Sequence, residues 1–148
     1  MKSLHLATQD DLSKLLPLIA GFHAEMGYDT TAEHQEGAIA PLLDGSPHGA
    51  IWLIGLRRAP VGYIAITFGW SVEYGGLDAI VDELYIRSAV RGRGMGHDAI
   101  DGIAKALKDA GVRALHLEVD RDDERAKEFY ARARFKPRDR YIFMSRVL

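Results

Sequence analysis

Residues 81–97, Val-Asp-Glu-Leu-Tyr-Ile-Arg-Ser-Ala-Val-Arg-Gly-Arg-Gly-Met-Gly-His, leave the chain few ways to fold. They open with an apolar and aromatic run, Leu84, Tyr85 and Ile86, of the kind that fills a strand. Gly92, Gly94 and Gly96 follow at alternate positions and supply a backbone that turns sharply and can approach a ligand closely. Beyond them Ile100, Ile103, Ala104 and Leu107 recur at helical spacing, so an amphipathic helix is predicted from about Met95. A strand running through such a turn into a helix ends at unpaired N–H groups and the positive pole of the helix dipole. With Arg91 and Arg93 alongside, the turn suits phosphate.

Two nucleotide signatures fail here. A P-loop needs Lys and then Ser or Thr after its glycines, and neither pair follows. The dinucleotide fingerprint G-x-G-x-x-G would place glycine at position 97, where His97 stands. What the residues do match is Arg91-x-x-Gly94-x-Gly96, with a second pattern downstream: Asp123, Ala126, Phe129, Tyr130 and Phe135. Together these resemble the GCN5-related N-acetyltransferases (GNAT), whose motifs are R/Q-x-x-G-x-G/A and N-x-x-A-x-x-F-Y-x-x-x-G-F. The two motifs lie one helix, one strand and a second helix apart, as in that family, and span the C-terminal half of the chain. Asp123 stands where the family has Asn, and Arg134 where it has Gly. Asp caps a helix as well as Asn does, but its charge is unwelcome beside an anionic coenzyme. Arg134 pays roughly 1–2 kcal/mol for a left-handed backbone that glycine adopts freely, so the helix before it is expected to end by another route.

The resemblance implies an α+β fold: a mixed, mostly antiparallel central sheet flanked by helices. It also implies transfer of the acetyl group of acetyl-coenzyme A directly to a primary amine. The amine is expected on a small molecule (a polyamine, an amino acid derivative or an aminoglycoside). A protein lysine or N-terminus, or a non-catalytic acyl-coenzyme A-binding module on the same fold, stands second. By the same resemblance Leu84, Tyr85, Ile86, Arg91, Gly92, Arg93, Gly94, Met95 and Gly96 form the coenzyme site. The family's two neighbouring parallel strands, here those ending near residues 86 and 119, splay to admit pantetheine, and a bulge in the first turns an N–H toward the thioester oxygen. Tyr130 is then the proton donor to the leaving thiolate, against the plainer reading of a tyrosine packed beside Phe129. Asp82 and Glu83 are the candidates for binding and deprotonating the amine. Adjacent strand residues face opposite sides, so one at most reaches the slot unless a bulge intervenes. A salt bridge to a neighbouring arginine would explain either acid as well.

Composition narrows the alternatives. The chain has 148 residues, 47% of them apolar, and a net charge of −2 with histidine neutral. That fits one compact domain and gives no footing for a nucleic-acid or membrane partner. Cysteine is absent, which removes disulfides, thiolate metal sites and a cysteine nucleophile together and accords with the cytoplasm. The six histidines are scattered without metal-ligand spacing, and no metal is expected. The first residues are not followed by an apolar stretch, so no leader is read there. A homodimer is expected from family habit alone.

In chain order, residues 3–7 read as a strand and Thr8 as the cap of a helix carrying Leu12, Leu15, Leu16, Ile19 and Phe22, with Pro17 a kink point. A second helix is expected over residues 31–43, irregular near Pro41. Residues 50–56 and 61–68 form a hairpin, and residues 69–76 a linker rich in glycine and aromatics. The central strand covers 79–86. After the glycine turn a helix runs to about Ala110 and stops at Gly111. A strand at 114–119, a helix at 123–133 and a closing strand at 141–147 complete the order. Trp70 and Tyr74 in the linker, and the acids Glu25, Asp29, Glu33 and Glu36 of the first two helices, are weaker candidates for the acceptor side. Core packing suits Trp52, and a surface position suits His97.

Overall fold

The computed structural model describes residues 3–148; Met1 and Lys2, part of the stretch read as lacking a leader, lie outside the described residues. The chain divides into two compact units, one running to Glu118 and a smaller one, Val119–Leu148.

The larger unit is built on a five-stranded sheet in the order β1-β2-β3-β4-β5. Its strands are β1 (Leu4–Leu6), β2 (Gly49–Leu56), β3 (Ala59–Ser71), β4 (Gly76–Ile86) and β5 (Ala114–His116). All neighbours are antiparallel except β4 and β5. Helices α1 (Leu12–Met26) and α2 (Ala32–Ile39) follow β1, and α3 (Met95–Asp109) joins β4 to β5. The crossover helix is what lets β5 return parallel to β4.

Pleating splits the core in two. Tyr63 and Ala65 of β3, with Ile51 and Leu53 of β2, bury against Leu15, Leu18 and Ile19 of α1 and Ile39 of α2. Ile64 and Ile66 alternate with them and so face the other way. They too are fully buried, as are Ile100 and Ile103 of α3, which packs on β2 and β4. α2 gives way at Ala40–Leu43 to a 3-10 turn containing Pro41, as the proline foretold. Gly111 ends α3: its N–H donates to Lys108 O and that of Val112 to Leu107 O, the paired bonds of a Schellman stop.

Residues 69–76 do not form a linker. β3 continues to Ser71 and β4 begins at Gly76, so Trp70 pairs with Leu77 near the tip of one long hairpin. β5 is also shorter than expected, ending at His116.

A buried carboxylate ties the N-terminal elements down. Asp11 is 1% exposed; it accepts from Thr8 N at 2.9 Å, Arg57 Nη1 at 2.7 Å and Lys14 Nζ at 3.4 Å. Burial pushes its carboxyl up, but the Thr8 N–H and the Arg57 and Lys14 charges outweigh it and hold the group below its ordinary 3.8. The lowered value means stabilisation that is complete above pH ~4 and is lost as the pH falls through the folded-state value. Asp11→Asn is expected to lower stability at pH 7 by about 1–3 kcal/mol. Urea titrations should show that gap closing as the pH drops below 4.

In the smaller unit, α4 spans Glu124–Arg132 and is capped by Asp123, whose side chain accepts from Ala126 N at 3.0 Å. Contrary to expectation, Arg134 is left-handed, with φ 73°. Its N–H donates to Ala131 O and that of Phe135 to Tyr130 O, while the Phe135 and Tyr130 rings meet edge-on at 5.7 Å. These bonds and the ring contact form a complete Schellman ending, and they hold the arginine where glycine would sit at less cost. Arg134→Gly is expected to stabilise α4 by about 1 kcal/mol, read as slower amide exchange in that helix.

The closing strand at residues 141–147 is not formed. Tyr141, Ile142, Phe143, Met144 and Val147 are all more than half exposed, and no ladder includes them. Strand-forming side chains supply propensity, but a strand exists only with a partner to accept its hydrogen bonds.

Candidate active site

Two features of β4 set the site. Its ladder with β5 ends at Ile80 opposite His116, so Val81 and residues 83–86 pair with β3 alone. Its register with β3 also steps: Ala65 lies opposite Glu83 and Ile66 opposite Val81. Asp82 is the extra residue of a β-bulge, the irregularity that sequence left undecided, and it lies outside the ladder.

The bulge separates the two acids. Asp82 is exposed. Glu83 shares the α1 face with Tyr63 and is held from two sides: the Tyr63 hydroxyl donates to Oε1 at 2.7 Å and His23 Nε2 lies 2.8 Å from Oε2. Burial, and then the Glu83 charge, push the Tyr63 phenol far above its ordinary value, so it stays a donor. Neither partner is an arginine, contrary to the plainer reading of this acid. His23 and Tyr63 were not candidates in the sequence: His23 is 60 residues from Glu83, and nothing in its α1 neighbourhood marks it.

The glycine turn takes the shape its residues require. A short 3-10 turn, Ser88–Val90, leads to Arg91; Gly92 (φ 79°) and Gly94 (φ 82°) are both left-handed. A Cβ at either would meet no atom within 4 Å, so glycine serves the backbone geometry and leaves both positions open. Gly94 caps α3, and the first N–H satisfied by the helix is that of Asp98, to Gly94 O. The N–H groups of Met95, Gly96 and His97 thus form a helix start of the kind that binds anions. Arg93 is exposed beside it. These groups fit a diphosphate: open backbone, free donors and a positive pole.

Arg91 is held by neighbouring groups. Its Nε donates to Ile86 O at 2.6 Å, its Nη1 and Nη2 grip both Glu25 oxygens at 2.9 and 2.6 Å, and its guanidinium lies over the Tyr85 ring at 5.5 Å. The side chain ties the turn to the end of α1. Tyr85 itself joins Phe22 and Tyr63 in an aromatic group. α1 crosses it at Gly21, where a Cβ would stand 2.7 Å from the Tyr85 hydroxyl. Leu84 and Ile86 are half-buried.

Among the weaker candidates, Trp70 is 72% exposed, and Tyr74 lies 5.5 Å from the His116 ring. His97 pairs with Asp101 on the α3 surface at 3.2 Å. Asp29, Glu33 and Glu36 are exposed. In the smaller unit the Tyr130 ring packs against Phe129 and Phe135. Burial, with the Asp123 charge, pushes its phenol up to about 12, so it carries its proton at neutral pH.

Comparison with known proteins gives the family. Residues 15–135 match the sequence model of the Acetyltransferase (GNAT) family. An integron cassette protein from the mobile metagenome of Cole Harbour Salt Marsh is 32% identical, with a TM-score of 0.86 over 99% of this chain and 91% of that one. A protein of Arthrobacter sp. FB24 assigned to the acetyltransferases is 25% identical, with a TM-score of 0.83 over 100% and 97%. An aminoglycoside acetyltransferase from an uncultured soil metagenomic sample, solved with sisomicin, shares the fold at 17% identity and a TM-score of 0.79 over 98% and 95%. None of the curated proteins matches. The chain belongs to the GNAT family of acetyltransferases.

Proposed function

We propose that the protein transfers the acetyl group of acetyl-coenzyme A directly to a primary amine of a small molecule, a polyamine, amino acid derivative or aminoglycoside being the classes in view. The observation that carries this is the conjunction on β4. Within one strand and the turn after it lie a bulge, a held carboxylate at Glu83 and an anion-binding helix start.

The thioester of the coenzyme supplies an activated acetyl group. The chain supplies position first, since holding two reactants together is worth about 7–11 kcal/mol. Backbone N–H groups of residues 92–97 hold the diphosphate, Arg93 adds charge, and Arg91 fixes the turn against α1. Glu83 binds the acceptor's ammonium and takes one of its protons, since an ammonium has no lone pair for attack; the second proton, shed by the nitrogen as the amide forms, is released to solvent, from which Tyr130 regains its own. Tyr130, a phenol that keeps its proton at neutral pH, gives that proton to the leaving thiolate. With no cysteine in the chain, direct transfer is favoured over a thioester intermediate on the protein.

Thermal denaturation with added ligands tests the reading. Acetyl-coenzyme A at a hundred times its Kd should add about 2.7 kcal/mol of stability, and ATP or NAD none. Gly94→Val should abolish the coenzyme effect. An amine panel with acetyl-coenzyme A then identifies the acceptor by thiol release. Coenzyme binding without acetylation of any amine would point to the binding-module alternative.

A further inference from the structure

His23 and Glu83 come from elements far apart in the chain, yet the bonds around them form an ordered series. Glu83 as a carboxylate only accepts, so the His23 nitrogen 2.8 Å from Oε2 must carry a proton. The other ring nitrogen, Nδ1, lies 2.7 Å from Thr30 Oγ1. That oxygen already accepts from Gln35 Nε2 at 3.0 Å, and its own proton is free to point at Nδ1. Gln35 is 6% exposed and α2 buries it. Every bond is satisfied by the series Gln35 → Thr30 → His23 → Glu83 ← Tyr63, which ends on the acid from both sides. Tyr28 and Phe22 clamp the His23 ring edge-on, at 5.3 and 6.1 Å. The imidazole can neither flip nor swing without breaking two hydrogen bonds.

We propose that His23, fixed as its Nε2–H tautomer by Thr30 and Gln35, is the positioning residue for Glu83, aiming one oxygen of that acid at the acceptor amine while Tyr63 restrains the other. The inference rests on the acetyl-transfer reading and extends it to the residues that orient the acid. One consequence is that the loop between α1 and α2 controls the acid although it contributes no group to the reaction. Another is that a glutamine at 23 should serve, because its Nε2 stands where the imidazole Nε2 stands, whereas an asparagine, which reproduces Nδ1, should not.

The test uses the full chain. His23→Ala and His23→Asn should lower kcat for the acceptor by about ten- to a hundredfold, with the thermal shift from acetyl-coenzyme A unchanged. His23→Gln should recover most of the loss. Independently of activity, nitrogen-15 spectra of the histidine rings should show His23 protonated at Nε2 and bare at Nδ1, with the Nε2 proton exchanging slowly. Wild-type kcat in His23→Ala, equal impairment in His23→Gln and His23→Ala, or a proton on Nδ1 with Nε2 bare would each overturn the proposal. Failure of the wild-type chain to acetylate any amine would sink the acetyl-transfer reading, and the ring spectra would still decide the arrangement of His23.

Discussion

Glu83→Ala is expected to lower kcat/KM for the amine by about 10²–10⁴-fold, the usual worth of a placed acid or base. The same change should destabilise the fold, because Tyr63, fully buried, loses the acceptor of its hydroxyl, and His23 loses the acceptor of its Nε2–H. An orphaned buried donor costs about 1–3 kcal/mol. Glu83→Gln does not escape this: its oxygen can still serve Tyr63, but its amide would then face the His23 Nε2–H, donor against donor. Steady-state kinetics with urea unfolding separates the two effects. Full activity in either variant would remove Glu83 from the chemistry.

Tyr130→Phe is the second large effect. On the proposed mechanism, deleting one hydroxyl removes a proton donor worth about 10²–10⁴-fold in kcat, while the ring contacts with Phe129 and Phe135 are kept. Coenzyme affinity should stay within about twofold, because the proposed phosphate donors lie on residues 92–97. Because the phenol is raised to about 12, no loss of activity through Tyr130 ionisation is expected between pH 7 and 9. A falling alkaline limb in that range which vanishes in Tyr130→Phe would contradict the assignment of its protonation state.

Much of the architecture could be read from local patterns. Alternation and turn residues gave the hairpin and β4; helical spacing and Gly111 bounded α3; Pro41 marked the breakdown of α2. The errors share one cause, reliance on local signals where partners decide. Gly69, Gly75 and Gly76 read as a linker, yet Gly69 is a paired strand residue opposite Asp78, and only the turn between Ser71 and Gly76 is irregular. Residues 141–147 have strand-forming side chains and, among the described residues, no strand beside them. Arg134 looked unable to adopt a left-handed backbone, and the hydrogen bonds of α4's last turn make it do so. At the site, the glycine turn was legible because backbone geometry dictates its residues. Glu83 was nameable as a candidate for its acidity inside an apolar strand, but its orientation depends on a bulge that no local pattern reveals. His23, Thr30 and Gln35 were illegible: each is an ordinary helix or loop residue until the fold sets them in series. Arg91 carries the motif's expected identity, and its side chain holds Glu25.

The extra residue in β4 carries an unusual freedom. On either side of Asp82 the inward and outward assignments of the strand are complete in themselves: Val81 faces Ile66's side and Glu83 faces Ala65's, as two consecutive residues of an unbroken strand would. Removing residue 82 would therefore preserve the parity of every neighbour and let the ladder close flat. The hydrophobic layers would have no reason to register the deletion. In this chain the irregularity is a separable insertion, carried by a frame that closes without it.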